Sequence, residues 1–305
     1  MRSRRGATDL CGVLAVDKPG GMTSHDVVAA VRRATGERRI GHAGTLDPSA
    51  TGLLVLLIGP YTRLEPYLSA ESKTYEARIA FGAETDTDDA DGAVTAEREV
   101  PEDVFDPARA RELLERLLGR SMQTPPAYSA IKAGGRVAYK AARAGEALAL
   151  EQRPIEVFEA RLRGVDAGAR AWDVAFRVSK GTYVRALARD LGRSAGTAAH
   201  LAALRRTRSG ALDVAHAHSL DEVRDAAAKG ALPQLFADGL TALALPVVEA
   251  DPVPVTAGRR LPRSLAPALP SGALAAVAAR GRLLAVYRVA DRALEPDAVF
   301  GQANR

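Results

Sequence analysis

One cysteine, Cys11, stands in 305 residues, so no internal disulfide can form and no cysteine cluster can hold zinc. Long apolar runs are missing as well. The most apolar stretch, Leu53 to Ile58, is far short of the roughly 20 residues a membrane helix needs. The basic start Met1-Arg2-Ser3-Arg4-Arg5 has no apolar segment of signal-peptide length behind it, so a cytoplasmic protein is expected. The phosphate loop GxxxxGK(S/T), the dinucleotide fingerprint GxGxxG, the GxSxG elbow and HExxH do not occur. The five histidines (His25, His42, His200, His216 and His218) are scattered. Neither a metal nor a cofactor is therefore expected.

Lysine is scarce too. Only Lys18, Lys73, Lys132, Lys140, Lys180 and Lys229 are lysines, and the other 36 of the 42 basic residues are arginine. Arginine offers a planar fork of donors that suits phosphate and stacks on bases. Net charge is only +5, but between Arg177 and Arg208 eight basic residues face Asp190 alone. A local excess of that size reads as the footprint of a polyanion.

What the chain does have is concentrated between Arg39 and Ile58. Gly41, His42, Gly44, Asp47, Pro48 and Gly52 fall within a dozen residues, ahead of the apolar run. Glycine permits positive φ, and Pro48 drives Asp47 into extended backbone. The result is a stiff loop presenting Asp47 at the mouth of a buried strand. Asp47 is the best-placed nucleophile or base, and His42 is its best-placed polar neighbour. A local cap for Asp47 and a loop-bonded role for His42 remain the plain alternatives.

Around this loop the pattern predicts a strand at Gly12 to Val16 and a helix from the capping box Thr23/Asp26 to Gly36. Lys73 to Phe81 alternates as a half-buried strand with Tyr75 on the apolar face. Thr85 to Gly92 resembles a calcium loop, but Arg98 stands where the twelfth-position glutamate would be, so an acidic surface turn with some carboxylate able to face a basic element is expected instead. A helix with Leu113, Leu114, Leu117 and Leu118 as its buried stripe follows Asp106-Pro107 and stops at Gly119. Residues 121–154 contain several breakers and Lys132, and read as an excursion outside the core. Strands resume at Ile155 to Leu162 and Trp172 to Val178. A helix follows Tyr183, another spans Thr197 to Arg205, and Ser219/Glu222 caps a third. From Leu243 the texture turns proline-rich and then β, which suggests a catalytic domain over 1–242 and a small β-rich module over 243–305.

Six motifs in order carry a resemblance: Asp17-Lys18-Pro19-Gly20-Gly21-Met22-Thr23-Ser24, the loop GHAGTLDPSATG, Lys73-Thr74-Tyr75, the turn TDTDDADG, QTPPAYSAIK and SKGTYVRALARDLG. Together they resemble the bacterial tRNA pseudouridine-55 synthases, the TruB family. The resemblance implies an α/β (α+β) pseudouridine-synthase fold, with a mixed, largely antiparallel central sheet flanked by helices and a small PUA-like C-terminal domain. It implies that uridine 55 of the tRNA T-loop becomes pseudouridine: N1–C1′ breaks, the flipped-out uracil turns, and C5–C1′ forms. Asp47 would be the catalytic carboxylate, either attacking C1′ or removing a sugar proton. Tyr75 would stack on the uracil and Arg185 would be the active-site arginine. His42 would fill the space the base vacates, with Leu204 and Tyr183 beside the uracil pocket. Lys18, Lys132, Arg205 and Arg206 would bind the T-arm, which the 121–154 insertion clasps. The expected partner is tRNA alone, with no membrane, guide RNA or obligate protein partner, and the enzyme is expected to act as a monomer. A tRNA-binding or tRNA-folding protein on the same scaffold, without chemistry, is the main alternative. A hydrolase of a glycosidic bond, which would release free uracil, is the other.

Overall fold

A computed structural model describes residues 8–146 and 148–300. The chain parts into two compact units. Among the described residues, one holds 8–48, 52–71 and 208–300, the other 49–51, 72–146 and 148–207. Neither limit falls at residue 243.

In the first unit the strand Gly12–Lys18 pairs antiparallel with Thr51–Ile58, with Lys18 opposite Gly52 and Gly12 opposite Ile58. The short strands Phe236–Ala237 and Ile40–His42 add to the first and second of these. Every residue from Leu53 to Ile58 is buried, as a run without alternation requires. The helix Ser24–Thr35 has the predicted capping box between Thr23 and Asp26 and ends at Gly36 in left-handed backbone. The second box, Ser219 with Glu222, opens Leu220–Ala228.

The C-terminal residues of this unit form a five-stranded sheet in the order Val247–Glu249, Leu274–Ala279, Arg282–Val289, Ala293–Val299, Leu261–Pro262. Its first pair is parallel and the others are antiparallel. One face encloses Val248, Val255, Val277, Tyr287 and Leu294. The other lends Ala276, Leu283, Val286 and Phe300 to the same core as Val13, Leu53, Val55 and Leu57. Tyr61 also donates to the Leu283 carbonyl (3.2 Å) and meets Phe300 edge-on at 5.6 Å. The β-rich region is thus built into the core of the strand that follows Asp47. The proline-rich stretch before it does not act as a free linker.

In the second unit five strands lie side by side in the order Ala199–Ser209, Lys73–Phe81, Ala171–Val178, Arg153–Asp166, Gly119–Gln123. Tyr75 stands opposite Phe176, and Ile79 opposite Trp172. The alternation expected along Lys73–Phe81 holds, with Lys73, Tyr75, Ala77, Ile79 and Phe81 all buried. Two expectations fail here. Thr197 to Arg205 is not a helix: from Ala199 on it is strand, because pairing beside Lys73–Phe81 overrides a sequence with no breaker and an ambiguous period. The helix after Asp106 covers only Pro107–Glu115. Leu113 and Leu114 are buried, but Leu118 is 47% exposed, since Gly119 at φ 89° already begins the next strand.

Trp172 anchors this unit's interior. It is fully buried, its indole N–H donates to the Val104 carbonyl at 3.1 Å, and its ring lies 4.7 Å from that of Phe81. Trp172→Ala is expected to cost about 3–5 kcal/mol in urea unfolding, because it leaves both a cavity and an unpaired carbonyl. A loss below about 1 kcal/mol would show that the site collapses around the smaller residue.

Candidate active site

The loop that carries Asp47 is tied on both sides of that residue. Before it, Ser24 Oγ accepts from the Leu46 amide (2.9 Å) and donates to the Leu46 carbonyl (3.0 Å). Ser24 opens the helix behind the Thr23 cap and is buried, so these bonds are shielded from water. After it, the Pro48 carbonyl accepts from Lys18 Nζ at 3.0 Å and from the Gly21 amide at 2.9 Å. Lys18 is fully buried and its ammonium also donates to the carbonyls of Pro19 (2.9 Å) and Met22 (2.7 Å). Upstream, the Ala43 amide bonds Val55 O at 2.9 Å and Gly44 turns the chain at φ 110°, a conformation open to glycine. Ala43 and Leu46 point inward while Asp47 stays half-exposed. The stiffness inferred for this loop therefore has named causes: a serine hydroxyl and a lysine ammonium pin its backbone.

His42 lies in the short strand Ile40–His42, opposite Leu56, and its ring meets that of His25 edge-on at 5.6 Å. Lys18 was expected to touch RNA. Its burial and its three carbonyl acceptors make it a clamp on the loop instead, which corrects that expectation.

In the second unit, Tyr75 is 9% exposed and shares a sheet face with Phe176. Arg185 lies in the first turn of the helix Val184–Ser194, whose N-cap is Tyr183. Its guanidinium donates to the carbonyls of Thr87 (2.8 Å) and Tyr128 (3.1 Å) and stands 3.5 Å from Asp89 Oδ2. One and two turns on, the helix repeats the motif. Arg189 bonds Asp88 Oδ2 at 2.7 Å and the Thr124 carbonyl at 2.9 Å. Arg193 grips Glu84 through both arms at 2.9 and 2.7 Å. A spacing of four puts the three arginines on one helix face, against the acidic turn. That turn is a tight one: a Cβ at Gly92 would overlap Thr87 Oγ1 and Asp86 Oδ1. The expectation that it faces a basic element is met, and among the described residues no metal-holding cluster occurs.

These pairs correct the reading of the arginine excess as a bare polyanion footprint. Arg185, Arg189 and Arg193 have internal carboxylate partners, and Arg177 bonds Glu159 at 2.9 Å. Arg206 is 1% exposed, so it cannot offer its guanidinium to a phosphate at the surface, as was expected of it. Arg205 and Leu204 are half-buried on the same strand, and Lys132 is exposed in the hairpin of the insertion. Tyr183 is held by its backbone: Gln123 Oε1 accepts its amide (2.9 Å) and Gln123 Nε2 donates to its carbonyl (3.1 Å). Sequence reasoning did not single out Ser24, Gln123, Asp88 or Arg189. The visible signal for the last two was the four-residue arginine spacing set against a run of acids.

Hydrogen bonds from Arg193 hold the Glu84 carboxyl below its usual range, whereas burial pushes Asp88 up against the pull of Arg189 and Arg185.

The chain matches the family model described as TruB family pseudouridylate synthase (N terminal domain) over residues 32–184. It matches the model for the tRNA pseudouridylate synthase B C-terminal domain over 185–247. It is 44% identical to a tRNA pseudouridine synthase B of Thermobifida fusca, over 95% of this chain and 98% of that one. It is 49% identical to one of Nocardia farcinica, over 71% of each. Among solved structures, a chain of a Cbf5-Nop10-Gar1 complex shares the fold with TM-score 0.73 at 24% identity, covering 95% of this chain and 85% of the other. A chain of an H/ACA RNP bound to a substrate RNA containing 2′-deoxyuridine does so with TM-score 0.72 at 23% identity, over 96% and 86%.

Two outcomes are expected. Lys18→Met keeps the buried stem but removes the donor from three carbonyls, and should cost about 3 kcal/mol in urea unfolding; a neutral change would mean that the loop does not depend on the clamp. The stability due to a lowered Glu84 is present above the ordinary glutamate range and is lost as pH falls through the lowered value. Glu84→Gln should therefore be destabilised relative to wild type at neutral pH, with the gap closing as pH falls below the ordinary glutamate range. An unchanged gap across that range would assign the effect to packing.

Proposed function

We infer that this chain, which belongs to the TruB family of pseudouridylate synthases, isomerises uridine 55 in the T-loop of tRNA to pseudouridine. Formation of pseudouridine in tRNA is the activity of the family, an isomerase class. The position modified and the roles of single residues are the finer reading proposed here.

The reaction is redox-neutral and transfers nothing from outside. The N1–C1′ bond breaks, the detached uracil turns, C5 bonds C1′, the proton on C5 leaves, and N1 gains one. It calls for a carboxylate held in fixed backbone, either to attack C1′ or to take a sugar proton, and Asp47 is proposed for that role. One observation supports Asp47 above all. The residues on either side of it, Leu46 and Pro48, are both pinned by buried side chains, so its backbone has little freedom. Tyr75 is proposed to hold the uracil by its face, which leaves the ring free to rotate where a hydrogen-bond clamp would oppose turning. Arg185 is proposed as the active-site arginine, and its ties to Thr87 and Tyr128 fix the direction of its guanidinium.

The target lies in a folded loop and must be extruded, at a cost of a few kcal/mol. His42 is proposed to occupy the vacated place, Leu204 and Tyr183 to border the base, and Lys132 and Arg205 to meet the T-arm. The 121–154 insertion is proposed to clasp that arm, and the five-stranded C-terminal sheet to act as a PUA-like RNA-binding module. The enzyme is proposed to work as a monomer in the cytoplasm, without cofactor, guide RNA or protein partner. No helix among the described residues is long and apolar enough to cross a membrane.

Asp47→Asn separates this reading from its rivals. With an unmodified T-arm stem-loop, the variant should form no detectable pseudouridine while binding the RNA within about threefold of wild type, since the change is isosteric and removes only the charge. Turnover at the wild-type rate would exclude Asp47. Release of free uracil by the wild type would instead identify a hydrolase, and tight binding by a wild type that modifies nothing would identify an RNA-folding protein.

A further inference from the structure

The second unit holds an ion pair for which the proposed chemistry has no use. Arg189 and Asp88 have side chains only 10% exposed, and their 2.7 Å contact lies one helical turn beyond Arg185. Burying such a pair is costly unless the remaining donors are used. Arg189 uses them. Nη2 donates to the Thr124 carbonyl at 2.9 Å and Nε to Asp190 Oδ1 at 2.9 Å.

Thr124 is the place where the 121–154 insertion leaves the sheet. The strand Gly119–Gln123 ends one residue earlier, and Gln123 is tied by its side chain to the Tyr183 backbone. Four residues further on, the Tyr128 carbonyl accepts from Arg185, and the Tyr128 hydroxyl donates to Asp86 Oδ2 at 3.2 Å. Beyond that point the insertion bonds largely to itself. Ala138 N reaches Ile131 O (2.8 Å), Tyr139 N reaches Ser129 O (3.0 Å), and Arg136 pairs with Glu146 at 2.6 Å. Residues 123–128, where the excursion leaves the strand, are therefore its root. That root is fastened to one helix, through its N-cap Tyr183 and through Arg185 and Arg189.

We propose that Arg189 is a positioning residue for RNA binding: its guanidinium fixes the root of the insertion and the acidic turn to the helix that carries Arg185, and so sets where the insertion meets the RNA. Arg189 touches no substrate. It acts through the Thr124 carbonyl on one side and through Asp88 on the other, whose neighbours Thr87 and Asp89 hold Arg185. This rests on the reading of the insertion as a clasp on the T-arm. Losing one charge-assisted bond at the root should therefore appear in RNA affinity rather than in the chemical step.

Arg189→Lys decides the matter, because an ammonium can keep the contact to Asp88 but cannot span the fork from Asp88 to Thr124. The expected result is a thermal midpoint near that of wild type, a KM for the T-arm stem-loop raised about 10-fold, and kcat within about threefold. Arg189→Met should raise KM at least as far and also lower the thermal midpoint. If the pair served only to hold the fold, lysine would restore KM together with stability, and that result overturns the proposal. So does a fall in kcat at unchanged KM. Amide hydrogen exchange over 121–146 reads the anchoring independently of turnover. Faster exchange there in Arg189→Lys supports the proposal, and unchanged exchange overturns it. A wild type that makes no pseudouridine refutes the functional reading, and exchange then decides whether the root is anchored through Arg189.

Discussion

A lysine ammonium buried under three carbonyls is an expensive object to place in a protein interior, and here it sits beneath the loop that carries Asp47. Lys18 meets the carbonyls of Pro19, Met22 and Pro48, while Ser24 takes both backbone groups of Leu46. Desolvating a cation is tolerated only when its donors are used, and the carbonyls gain charge-assisted bonds in return. The constraint has a direction: it freezes the residues around Asp47 and leaves the carboxylate half-exposed. For the role proposed for Asp47, backbone hydrogen bonds would supply what catalysis asks of a reactive group, that it need not be reorganised at the moment of reaction. The core beneath continues the theme. The strand Thr51–Ile58 shares its packing with the C-terminal sheet through Leu283, Val286 and Phe300.

The other unit solves a similar problem with arginine. Three arginines at helical spacing meet an acidic turn, and the two inner ones also take up carbonyls from the root of the insertion. Arginine suits this use because one planar fork can serve a carboxylate and a carbonyl at once. An excess of positive charge in a sequence is therefore ambiguous. It marks an RNA-facing surface only where the acids of another segment do not fold back onto it. Lys132 and Lys180 stay exposed, whereas Arg206 lies inside.

How much was legible in the sequence depends on how local each signal is. The capping boxes at Thr23/Asp26 and Ser219/Glu222 and the alternation through Lys73–Phe81 appear as read, because each is settled within a few residues. Thr197 to Arg205 was misread as helix because its alanines and leucines fit either period, and only the neighbouring strand decides. Leu118 looked like a fourth core position, but the helix had already ended. Lys18 and Arg206 looked like surface cations because burial is settled by the packing of the whole fold, which the local sequence does not display. The change of texture at Leu243 was real, yet packing joins that region to residues of the first strand. The roles proposed for Asp47, Tyr75 and Arg185 were legible only through six ordered motifs, since spacing alone left a local cap as a fair reading of Asp47.

The account stands or falls on which uridine changes. Full-length, unmodified tRNA transcript should be treated with the wild-type protein and sequenced for pseudouridine at every position. The account predicts conversion at position 55, with the other uridines untouched and no free uracil released. Conversion at a different position, or none at all under conditions where the tRNA is bound, would contradict it.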